Sequence, residues 1–96
     1  MAKIYTSSQT GTGSSTAVDL DPDAHGPYTF VCEVTGTATF DLEITVDGTL
    51  WATHQDVDDK TASTMTSFYS PLKQARVTIS SGAGTVDLTV LERNQT

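Results

Sequence analysis

Apolar and polar side chains alternate along most of the chain, and the alternation breaks wherever glycine, proline or aspartate cluster. In "FDLEITVDGTLWATH" (40–54), Phe40, Leu42, Ile44 and Val46 share one parity, and Asp41, Glu43, Thr45 and Asp47 the other. A period of two places alternate side chains on opposite faces of a strand, so this segment reads as a half-buried β-strand. The same period recurs in "AVDL" (Val18, Leu20), "YTFVCEV" (Tyr28, Phe30, Cys32, Val34), "ARVTIS" (Val77, Ile79) and "TVDLTVLE" (Val86, Leu88, Val90). "TASTMTSFYS" is a less regular strand expected to turn Met65 and a Phe68 or Tyr69 ring inward. Between the strands lie "DPDAHGP", "TGT", "DVDDK", "PLKQ" and "SGAG", all carrying turn chemistry. Seven or eight short strands at this spacing, with no helical periodicity, predict an all-β fold. The expected form is an antiparallel β-sandwich, jelly-roll or immunoglobulin-like.

One turn carries a register. Asp47-Gly48 favours a two-residue type I′ hairpin, because both central positions there take positive φ. That turn sets Val46 opposite Thr49 and Ile44 opposite Trp51, with the indole on the core face. A three-residue loop would turn Leu50 inward and Trp51 outward instead. The first register is preferred because it buries the larger ring.

Residues 1–16, "MAKIYTSSQTGTGSST", hold one apolar pair, Ile4 and Tyr5, in a run of Ser, Thr and Gly. This composition reads as a flexible N-terminal arm ahead of a sandwich domain over 17–96, with Lys3, Ile4 and Tyr5 as its candidate docking residues. On the outward strand parity, Val31, Leu50 and Leu91 stand where polar residues are expected. They are candidates for a subunit interface.

Composition narrows the function. Thr and Ser make up 27 of the 96 residues, which suits a pleated, half-wet surface. Twelve acids against five bases give a net charge of −7, which repels phosphate backbones and argues against a nucleic-acid partner. No apolar run is long enough to span a membrane or serve as a secretion signal, and Cys32 is the single cysteine. The expectation is synthesis in a reducing cytoplasm, with no membrane partner.

Catalytic chemistry finds no foothold. No nucleophile-elbow pattern surrounds any serine, and His25 and His54 fall at loops or strand ends. Asp19, Asp21 and Asp23, and again Asp56, Asp58 and Asp59, offer carboxylates at close spacing. Neither set has the glycine and terminal glutamate of a twelve-residue calcium loop, so hydration of the turns is the expected role. Cys32 falls on a core parity. No enzyme activity, cofactor or metal is expected.

The stretches "GTATFDLEITVDGTLWATH" and "FYSPLKQARVTISSGAGTVDLTVLE" give the chain, over roughly residues 28–92, a resemblance to the small all-β structural proteins of tailed bacteriophages. By size it is most similar to the capsid decoration, or cement, proteins. The resemblance implies a virion protein, commonly a homotrimer, made in the bacterial host cytoplasm. It would bind the major capsid protein on the outer capsid surface and stabilise the shell. The alternative is a carbohydrate- or host-surface-binding module of a phage tail or baseplate, favoured if the Trp51 ring faces solvent.

Overall fold

A computed structural model of the chain describes residues 2–20, 27–69 and 72–93. Among these residues every regular element is a strand: β1 (Ala2–Thr10), β2 (Gly13–Ser14), β3 (Val18–Asp19), β4 (Tyr28–Thr35), β5 (Thr39–Thr45), β6 (Ala52–Thr53), β7 (Thr64–Phe68), β8 (Gln74–Ser81) and β9 (Thr85–Arg93). They form two antiparallel sheets. The A sheet has the order β1-β9-β4-β7, and the B sheet the order β2-β8-β5-β6, with β3 also pairing β8. The chain crosses between the sheets repeatedly, so the sandwich is closed by connections at both ends.

The inward parity is the one the alternation predicts. Tyr28, Phe30 and Cys32 of β4 and Val86, Leu88 and Val90 of β9 face Phe40, Leu42 and Ile44 of β5 and Ala75, Val77 and Ile79 of β8. Each large apolar side chain so removed from water contributes about 1.5–3 kcal/mol before chain entropy is counted. Leu72 and Val57 complete the core from irregular segments. Val57 comes from the "DVDDK" loop, which runs beside β5: the Leu42 amide donates to the Val57 carbonyl at 3.0 Å, and Phe40 and Lys60 exchange both backbone bonds at 2.9 Å. The loop is acidic in composition yet is pinned along β5, and its one aliphatic side chain fills the core.

The N-terminal segment is not an arm. Residues 2–10 pair with β9 in an unbroken register from Ala2↔Arg93 to Thr10↔Thr85. Ser and Thr supply little apolar area, but a strand on a sheet edge orders through backbone bonds, and β-branched Thr suits that geometry. Tyr5 alone packs against the core. The next residues cross to the B sheet, where the Ser15 amide donates to the Val77 carbonyl at 2.8 Å and the Ser15 hydroxyl accepts from the Val77 amide at 3.1 Å.

The β5–β6 connection also departs from expectation. Ile44 pairs with Ala52 and Glu43 with Thr53, so residues 46–51 form a six-residue loop. Gly48 takes φ +83°, whereas Asp47 is not in the positive-φ region, so no type I′ turn forms. The Asp47 carboxylate explains why. It accepts from the amides of Thr49 at 2.8 Å and Leu50 at 2.9 Å, while the Thr45 hydroxyl accepts from the Gly48 amide at 3.0 Å. An aspartate that caps a wider loop through its own side chain competes with the two-residue turn. Val46 and Leu50 are left exposed and Trp51 half-buried, outside the core. In β7, Phe68 packs against the core, but Met65 and Tyr69 point to solvent.

Candidate docking surface

The two sheets present different outer faces. On the A sheet, register places Ile4, Leu91, Thr29 and Ser67 side by side across four strands. The adjacent row is Thr6, Thr89, Val31 and Met65. Ile4–Leu91 and Val31–Met65 are direct cross-strand pairs, and the two pairs meet on a diagonal within reach of long side chains. Neither row holds a charge; the next one begins with Asp87 and Glu33. Ile4 is 69 % exposed and Met65 68 %, while Val31 and Leu91 are half-buried between strands. At ordinary strand spacing these rows cover on the order of 250 Å², with apolar side chains at Ile4, Leu91, Val31 and Met65 and hydroxyl side chains at the other positions.

The B sheet's outer face is polar and satisfied from within. Glu43 accepts from the Arg76 guanidinium at 2.7 Å and from the Thr78 hydroxyl at 2.7 Å. Thr78 in turn accepts from the Ser14 hydroxyl at 2.8 Å. The Gln74 amide donates to Asp19 at 2.7 Å. The Arg76 guanidinium lies 4.0 Å over the Trp51 ring, so one face of the indole is covered by a cation that Glu43 already holds.

The candidate residues from the sequence separate between these regions. Val31 and Leu91 lie together on the A face, joined by Ile4. Leu50 sits on the β5–β6 loop of the other sheet. Lys3, Ile4 and Tyr5 diverge because they alternate along β1: Ile4 is on the outer face, while Tyr5 turns inward with its hydroxyl 3.4 Å from both carboxylate oxygens of Glu92. Glu92 is buried on the inward parity of β9, a position that the alternation of the neighbouring valines marks and that sequence reasoning passed over. Met65 was expected inside; the β4 pairing puts it on the outer face instead.

His54 is buried and structural. Its Nδ1 accepts from the Asp56 amide at 3.1 Å, which leaves the proton on Nε2 to donate to the Ser67 carbonyl at 3.0 Å. The Phe30 and Phe68 rings meet it edge-on at 6.4 and 5.8 Å. Beside it opens a cleft of about 420 Å³, lined among others by Gln55, Asp56, Phe68 and Tyr69. His25 lies outside the described residues, as do Asp21 and Asp23.

The acidic groups regroup in space. Asp58 and Asp59 meet Asp41 of β5, with ligand atoms within 4.8 Å of one another, while Asp56 accepts from the Thr66 hydroxyl at 3.0 Å. Desolvation, the Asp59 charge, and a hydrogen bond and charge from Asp41 hold the Asp58 carboxyl above its ordinary range. The Asp59 amide donates to Asp41 at 2.6 Å. Asp47 is shifted the other way, chiefly by the Leu50 and Thr49 amides that donate to it. Burial pushes the Cys32 thiol up to about 12, so it stays protonated in the core.

No protein-family model matches the chain, and no curated protein is similar to it. Among solved structures it is similar to a chain from Bacillus endospore appendages, described as a novel family of disulfide-linked pili. The identity is 14 %, over 99 % of this chain and 88 % of that one, with a TM-score of 0.47. A likeness at that level carries no argument about activity or assembly.

Proposed function

We infer that the chain is a non-enzymatic virion structural protein that docks on the outer capsid surface and reinforces the shell. The observation that carries this reading is the pair of uncharged rows on the outer face of the A sheet, where Ile4, Leu91, Val31 and Met65 are gathered on neighbouring strands, whereas the other exposed large apolar side chains, Val46, Leu50 and Tyr69, lie outside the strands. Its occupant under this reading is the major capsid protein, the partner implied by the resemblance of residues 28–92 to capsid decoration proteins. The mechanism is mechanical: area buried between this face and the shell must be re-exposed before capsid subunits separate, so binding stabilises the bound state by mass action. An acidic exterior suits the outside of a shell rather than its nucleic-acid lumen.

The test is localisation. Antibody against the chain, applied to intact particles of the phage that encodes it, is expected to label the head evenly. Label confined to the tail, or none, would overturn the reading. A second reading, a carbohydrate-binding module, is favoured by the half-exposed Trp51 ring and by the cleft beside the exposed Tyr69. A glycan array distinguishes it, since a capsid-binding face should leave every sugar unbound.

A further inference from the structure

The edges of the two sheets are treated unequally. In the B sheet, β2, β3 and β6 are two residues each, too short to template another strand. In the A sheet, β7 is capped. Val34 donates its amide to the Ser63 hydroxyl on the β7 side at 2.9 Å, so the even residues of β4 bond toward β7 and the odd ones toward β9. Thr66, opposite Phe30, therefore bonds β4, and Ser67 directs its backbone groups away from the sheet. The Ser67 carbonyl is the group that His54 Nε2 takes. The imidazole thus occupies the outer edge of β7, and Asp56 holds the neighbouring Thr66 hydroxyl.

β1 from Ala2 to Ser8 has no such cover among the described residues. Carrying the alternation across the sheet, the odd residues of β9 bond β4 and its even residues bond β1, pairing with Lys3, Tyr5, Ser7 and Gln9. The backbone groups of Ala2, Ile4, Thr6, Ser8 and Thr10 then point off the edge, of which the Thr10 carbonyl accepts from the neighbouring Gln9 side chain at 3.3 Å. The strand runs nine residues without proline, glycine or bulge. No charged residue occupies an edge-directed position, so two copies of a chain with net charge −7 can approach there without opposing like charges.

We propose that two copies pair antiparallel through β1, about a two-fold axis at Thr6, to join their A sheets into one eight-stranded sheet. The register follows from the geometry. An edge that bonds through even residues pairs even positions with even ones, and of the registers this allows the one that pairs the nine-residue strand over its full length puts Thr6 on the axis. Ala2 then faces Thr10, and Ile4 faces Ser8. A closed three-fold ring through strand edges would instead require β1 to meet a different edge of the next copy, and those are short or capped. The pairing is independent of what the outer face docks on, and it sets two Ile4–Leu91–Val31–Met65 patches on one continuous surface.

Sedimentation of the full chain over roughly 1 μM to 1 mM, the range of weak interfaces, should show mass rising to twice that of one chain. Thr6→Pro removes an edge amide without touching a bond to β9, and should return the mass to the monomer with the circular dichroism unchanged. Thr6→Ala should leave association intact. A separate readout does not depend on tolerating proline: Thr6→Cys places two thiols across the axis, where directly opposed Cα atoms lie about 5.5 Å apart, within disulfide reach. Oxidation should give a covalent dimer from Thr6→Cys and not from Ser8→Cys, which faces Ile4 of the other copy. A chain that stays monomeric throughout the series, or cross-links equally at positions 6 and 8, overturns the proposal.

Discussion

The outer faces of the two sheets have the same backbone geometry and opposite chemistry. On the B face nearly every long polar group finds its partner on a neighbouring strand: Glu43 binds Arg76 and Thr78, Ser14 binds Thr78, and Asp19 binds Gln74. On the A face the two rows holding Ile4, Leu91, Val31 and Met65 have apolar long side chains with threonines and a serine between them, and charge begins only in the next row, where Ser8 donates to Asp87 at 2.7 Å. A face that satisfies itself gains nothing further from a partner, and burying it would cost the desolvation of its ion pair. A face of exposed Ile and Met gains from any partner that removes it from water. The same fold therefore separates a surface that holds the protein together from one that is free to bind.

Breaking the connection between the faces has the largest expected effect. The β8–β9 turn joins the sheets, and a Cβ added at Gly84 would meet the Thr35 carbonyl oxygen at 2.7 Å and the Thr37 amide nitrogen at 2.8 Å. Gly84→Val should cost about 3 kcal/mol or more, since backbone cannot yield as a side chain can. Urea unfolding would show it as a large fall in midpoint.

Next comes the B face itself. Glu43→Ala removes the acceptor of both Arg76 and Thr78 and should cost about 1–2 kcal/mol, the ion pair being partly screened. Trp51→Ala, which removes only a half-covered ring, should cost about 1 kcal/mol rather than the several expected of a core tryptophan. A loss at Trp51 equal to that of a buried ring would contradict the position described.

Smaller effects come from the acidic loops, and they differ in sign. The Asp58 pKa is raised in the fold, so its unfavourable contribution is present above that raised value and is relieved as pH falls through it. Asp58→Asn should therefore raise Tm at pH 7, with the gain shrinking in acid. Asp47 is lowered, so its contribution is favourable above the ordinary aspartate value and is lost as pH falls through the folded one. Asp47→Asn should lower Tm at pH 7, and that difference should also fade in acid. Scanning calorimetry across pH checks both. The smallest expected effect on stability is on the A face, where Ile4→Thr and Met65→Ser should stay within about 0.5 kcal/mol in urea unfolding.

The core was legible because period two acts at every strand with an apolar run: Phe30, Cys32, Leu42, Val77 and Leu88 all fall where alternation puts them. The rest depended on partners that a single sequence does not show. β1 is stabilised by backbone bonds to β9, 80 or so residues away, which composition does not register. The Asp47 loop turned on whether a carboxylate would cap amides two and three residues on, a local competition that Asp-Gly alone does not decide. Of the surface candidates, Val31 and Leu91 share a face because β4 and β9 are neighbours, whereas Leu50 follows the wider loop. Ile4 and Met65 went unread there because one lay in a supposed arm and the other on a strand whose parity was irregular. His54, placed at a loop, is buried because Ser67 and the Asp56 amide satisfy both ring nitrogens.

The most direct measurement of the proposed capsid docking is co-sedimentation with undecorated shells of a tailed phage, the partner the proposal names. It compares a charge placed on each outer face, Met65→Glu on the A sheet and Ser80→Glu on the B sheet, in proteins shown by circular dichroism to be folded. The account predicts that Met65→Glu stays in the supernatant while Ser80→Glu sediments like the unaltered chain. Equal sedimentation of the two variants, or loss of binding at Ser80 alone, would contradict it.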